Sequence, residues 1–73
     1  MAKLPSVSSR KVIKAFRSFG WEVARQESSH IIMAKEGEIA TLSVPQHNPV
    51  AKGTLRGLIR AANLTVDEFV AAL

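Results

Sequence analysis

Cysteine is absent from this chain, and with it go two ways of holding a small protein together. No disulfide can form, and no thiolate can serve a structural zinc site. Histidine is scarce: only His30 and His47 occur, far apart in sequence, a poor basis for a metal centre. Neither a metal nor a cofactor is expected. Long apolar runs are missing too, and none approaches the roughly 20 residues that span a bilayer. No membrane association is expected. The segment Met1-Ala2-Lys3-Leu4-Pro5 lacks the apolar stretch of a signal peptide, so the expected compartment is the cytoplasm. Acids are scarce in the first third, where Glu22 alone opposes Lys3, Arg10, Lys11, Lys14, Arg17 and Arg25.

What is present suits one domain over residues 1–73. The chain is 47% apolar, enough for a compact core. A protein of this size buries only about 60% of its unfolded surface, so modest stability is expected. The net charge of +4 would by itself fit ordinary solvated lysines and arginines. Its concentration in the first third, with a second group at Lys52, Arg56 and Arg60, suggests a face for a polyanion.

The periodicities predict a helix, three strands and a helix, with a short helix at the end. Ser8 suits an N-cap for a helix over residues 9–19, whose apolar stripe is Val12, Ile13, Phe16 and Phe19. Gly20 suits its left-handed stop. Residues 21–25 read as a strand with Trp21, Val23 and Arg25 on one face. Trp21 and both helix phenylalanines are expected in the core rather than as stacking platforms. A second strand is expected over 30–34, a turn at Lys35-Glu36-Gly37-Glu38, and a third strand over 39–44. The prolines of Pro45-Gln46-His47-Asn48-Pro49 mark an exposed loop. A second helix is expected over 54–62, with Leu55, Leu58, Ile59 and Ala62 buried and Arg56 and Arg60 outward. Asn63 suits its stop, and Thr65-Val66-Asp67-Glu68 is a capping box for the last helix. A meander covered on one face by helices is an α+β sandwich.

His30 stands out in that plan. It follows the polar turn Gln26-Glu27-Ser28-Ser29 and opens the apolar strand Ile31-Ile32-Met33, where a β-branched residue would be usual. An imidazole there is either a half-buried strand residue bonded to backbone or an exposed group aimed by the strand.

The motifs resemble those of the HicA (YcfA-like) mRNA interferase toxins of type II toxin–antitoxin systems. A basic amphipathic helix ends in Gly20-Trp21. Arg25-Gln26-Glu27-Ser28-Ser29-His30 follows, matching Arg-Gln-x-Gly-Ser-His in the family. Then come Val44-Pro45-Gln46-His47, Gly53-Thr54-Leu55-Arg56 and Thr65-Val66-Asp67-Glu68-Phe69. These five elements, in order, cover nearly the whole chain. Ser28 replaces the usual glycine. Since serine tolerates positive φ less well, a different turn type and an altered His30 angle are expected.

The resemblance implies a double-stranded-RNA-binding-domain-like fold, α-β-β-β-α with a three-stranded antiparallel sheet and a short C-terminal helix. It implies ribosome-independent cleavage of mRNA, with His30 as the essential residue, and a HicB-type antitoxin as partner. RNA carries its own nucleophile in the 2′-hydroxyl, so cleavage requires only proton transfer and charge stabilisation at the phosphate. An imidazole, with an unperturbed pKa of about 6.5, suits the proton transfer, contributing about 10²–10⁴-fold to rate. His30 could remove the 2′-hydroxyl proton or protonate the leaving oxygen.

His47 is a candidate for a supporting role, or a loop histidine. Ser29 could orient the imidazole, touch phosphate, or be a turn serine. Arg25, Lys52 and Arg56, with backbone donors at Gly53 and Thr54, are the candidate RNA contacts. Lys11 and Lys14 fit a general electrostatic footprint or solvated charge. The competing reading is a non-catalytic RNA-binding module of the same fold; a DNA-binding regulator lacks a recognisable recognition helix, and an inactive toxin relic is a further alternative.

Overall fold

The computed structural model describes residues 3–73. Its elements are α1 (Ser9–Arg17), β1 (Glu22–Glu27), β2 (His30–Ala34), β3 (Leu42–Pro45), α2 (Lys52–Ala61) and α3 (Val66–Ala71). The strands form one antiparallel sheet in the order β1-β2-β3, so the apolar second strand is central as its sequence implies. The fold is α+β, with the double-stranded-RNA-binding-domain-like order of elements.

Helix ends follow the expected chemistry. The Ser8 hydroxyl accepts from the Lys11 amide at 3.3 Å. After α1 the amide of Trp21 donates to the Phe16 carbonyl and that of Gly20 to Arg17, with Gly20 at φ +96. That pair of bonds is a Schellman closure, and it ends the helix two residues before Phe19. Asn63, at φ +63, closes α2 in the same way: Leu64 donates to Ile59, and Asn63 to Arg60. The capping box of α3 is formed in both directions, at 2.9 and 3.1 Å.

One buried cluster joins the layers. Val12, Ala15 and Phe16 of α1 meet Ile31 and Met33 of β2, Leu42 and Val44 of β3, and Leu55 and Ile59 of α2. Phe69 of α3 closes it, its ring centroid 5.2 Å from that of Phe16. Trp21 is buried as expected, although its Nε1 has no hydrogen-bond partner among the described residues. Leu4, Val7 and Val50 also belong to the core, brought there by a Val50 amide to Val7 carbonyl bond of 2.9 Å. No periodic pattern marks these three in the sequence.

Two strand expectations need correction. The register shifts between Val23 and Arg25, so a bulge at Ala24 reverses the alternation. Val23 pairs with Met33, whereas Arg25 pairs with Ile32 and so lies on the opposite face from Val23. The third strand is also shorter than its alternation suggests. Pairing with β2 runs only from Leu42 to Pro45: residues 39–41 belong to the connection after β2, and Pro45, expected in the loop, is the last strand residue, opposite His30. Ile39 is fully exposed in that loop.

Candidate active site

The turn before His30 is a two-residue hairpin, Ser28-Ser29, closed by the pair Glu27 and His30. Ser28 takes φ +57 and Ser29 does not have positive φ, the sign pattern of a type II′ turn, whose first position normally holds glycine. Ser28 thus occupies a positive-φ position that favours glycine. A left-handed serine costs roughly 1–2 kcal/mol, and the strands on either side hold it there.

His30 begins the central strand, with Glu27 opposite it on β1 and Pro45 on β3. Its backbone is thus held from both sides while its side chain is exposed. Alternation sends Ile31 into the core and leaves His30 on the face shared with Ile32, Arg25 and Glu27.

A small hydrogen-bond network ties the hairpin tip to the proline loop. The Gln46 amide donates to the Ser29 carbonyl at 2.8 Å. The Gln26 side-chain nitrogen donates to Gln46 Oε1 at 3.1 Å and to the Ser28 carbonyl at 3.3 Å. Farther along, Asn48 Oδ1 accepts from the Ser9 amide at 3.0 Å, anchoring the loop to the start of α1. His47, exposed between these two anchors, lies two residues beyond the partner of His30. Sequence reasoning gave Gln26, Gln46 and Asn48 no role. Gln26 lies within the motif that drew attention to His30, but only the fold shows what it touches.

The candidate RNA contacts fall into unlike settings. The Arg25 guanidinium is engaged by the Glu27 carboxylate. Lys52, Gly53, Thr54 and Arg56 are exposed on α2, which begins at Lys52 rather than Thr54. Its first hydrogen bond runs from Leu55 to the Ala51 carbonyl, so the three preceding amides lie in the open first turn. Ala51 has no side-chain acceptor for them. Ser29 makes no side-chain hydrogen bond among the described residues, and no three potential metal ligands come together there.

Comparison with known proteins gives two matches. The family model described as the HicA toxin of bacterial toxin-antitoxin matches residues 9–64. The chain is also similar to a chain of a solved toxin–antitoxin complex from Streptococcus pneumoniae. Identity is 31% and the TM-score 0.71, over 82% of this chain and 100% of that one. Comparison with curated protein sequences gives no match.

Proposed function

The chain belongs to the HicA toxin family of bacterial toxin–antitoxin systems, and from that premise we propose that it is a metal-independent, ribosome-independent endoribonuclease acting on mRNA. One observation carries the reading: an exposed histidine heads the central strand, its backbone held by a strand on each side. A side chain so placed can meet a ligand without waiting for a loop to order.

In this mechanism His30 is the general acid/base. It removes the 2′-hydroxyl proton or protonates the departing 5′-oxygen, and the 2′-oxygen attacks the adjacent phosphorus. His47 supports it from the neighbouring loop, and the free Ser29 hydroxyl is available to phosphate. Lys52 and Arg56, with the Gly53 and Thr54 amides in the open first turn of α2, hold the backbone. Arg25 contributes less, since Glu27 accompanies it. A HicB-type antitoxin silences the toxin by covering His30. A standard interface of about 800 Å² per partner is roughly a sixth of the 4766 Å² surface, ample for that purpose.

The alternative is an RNA-binding module without catalysis, and one experiment separates the two. Nuclease-free wild type should cleave single-stranded RNA in EDTA, leaving a 2′,3′-cyclic phosphate or its hydrolysis product beside a 5′-hydroxyl. His30→Ala should bind RNA, remain folded and cleave at least about 10²-fold more slowly. Binding without cleavage by the wild type would favour the module instead.

A further inference from the structure

Helix α1 holds four cations, Arg10, Lys11, Lys14 and Arg17, and no acid. That equals the net charge of the whole chain; elsewhere cations and anions balance. Arg10 and Lys11 stand in the first turn, where the helix dipole disfavours positive charge by about 0.3–1 kcal/mol each. Local helix chemistry therefore does not account for them.

Three of these cations converge on one feature. Arg10, Lys14 and Arg17 line a groove of about 490 Å³ with Ile13, Ile31 and Gln46. No acid lines it; Glu22 reaches Arg17 at 3.5 Å in an exposed pair, which is worth little. Along the helix the three cations span about 10 Å at 1.5 Å per residue. Gln46, at the groove's edge, is the residue whose amide holds the Ser29 carbonyl next to His30. The groove thus reaches the hairpin tip from the helix-covered side of the sheet, while His30 alternates to the other side, so a bound strand passes around the end of β2.

We propose that this groove is an RNA-backbone subsite, holding the strand on one side of the scissile bond while Lys52 and Arg56 serve the other. The proposal rests on RNA being the ligand of this toxin. Charge selects the occupant: a continuous strand of phosphates matches three cations in a lining that holds no acid, with Glu22 only an exposed partner of Arg17. Ile13 and Ile31 form an apolar floor for sugar or base edges. The subsite also gives the charge of α1 a use that the candidate contacts on β1 and α2 leave unexplained.

The test uses a twelve-nucleotide single strand of 2′-O-methyl RNA, which lacks the nucleophile and cannot be cut. Its affinity is measured across salt concentrations for wild type, the triple variant Arg10→Gln/Lys14→Gln/Arg17→Gln, and a control, Lys3→Gln/Lys35→Glu, that loses the same three units of charge elsewhere. The triple variant should bind at least about tenfold more weakly. Its salt slope should fall by about two, at roughly 0.7 per lost single-strand contact. The control should change far less, and circular dichroism should show all three folded.

Equal losses in the control would mean bulk charge rather than a subsite, and would overturn the proposal. So would unchanged RNA affinity in a triple variant that has lost its antitoxin, since the groove would then be a protein interface. Absence of RNA binding by the wild type overturns it as well. If the groove binds the probe but wild type cleaves no natural RNA, the subsite stands and the nuclease reading alone fails.

Discussion

Two regions that carry arginine flank the hairpin tip, and their charges are arranged in opposite ways. On the sheet face, Arg25 pairs with Glu27, which lies directly across from His30. On α1, Arg10 and Lys14 face a groove with no acid in its lining, and Arg17 has only an exposed, weak partner. The first region is nearly neutral, while the second is open and cationic. Proximity to the candidate histidine thus does not measure how much charge a residue can offer RNA. On the proposed reading, the place for proton transfer is separate from the place for grip, and each should be open to disturbance without the other.

The largest expected effect comes from His30→Ala. Cleavage should fall by about 10²–10⁴-fold or more while affinity for uncleavable RNA stays within about twofold. A large loss of affinity would break the comparison, since His30 would then belong to the grip. Gln26→Ala comes next. Loosening the tie between hairpin and proline loop should lower kcat by about tenfold with little change in KM, because small misplacements of a catalytic group are costly. Gln26→Glu, which cannot donate, should not restore the rate.

Ser28→Gly should leave the turn intact and raise stability by up to about 1 kcal/mol, measured by urea unfolding. Relief of the left-handed serine exceeds the added freedom of glycine in the unfolded chain. A destabilised variant would show that the serine is not strained. Arg25→Gln should do least, changing RNA affinity by less than about twofold, because the neighbouring Glu27 carboxylate repels a phosphate from the same spot. A tenfold loss there would move the grip onto the sheet face.

Much of this architecture is legible in the residues themselves. Ser8, Gly20, Asn63 and the Thr65/Glu68 box mark helix ends through backbone chemistry confined to a few neighbours. The span of β2 follows from its apolar run and its flanking turns. What escaped depended on register or on distant partners. The bulge at Ala24 carries no glycine or proline to announce it, yet it moves Arg25 to the other face. The β3 alternation begins before pairing with β2 does, so periodicity overstated the start of the strand. At the site, His30 was visible as an odd residue for a strand start. The Gln26–Gln46 link and the groove beside α1 join residues from separate elements, and only packing brings them together.

The division between chemistry and grip is tested most directly by single-turnover cleavage measured against RNA concentration. Wild type, His30→Ala and the α1 triple variant would be compared on one natural RNA in EDTA. The account predicts that His30→Ala loses the saturating rate, and that the triple variant reaches the wild-type rate at concentrations at least about tenfold higher. Full cleavage by His30→Ala, or a triple variant that loses saturating rate without losing affinity, would contradict it.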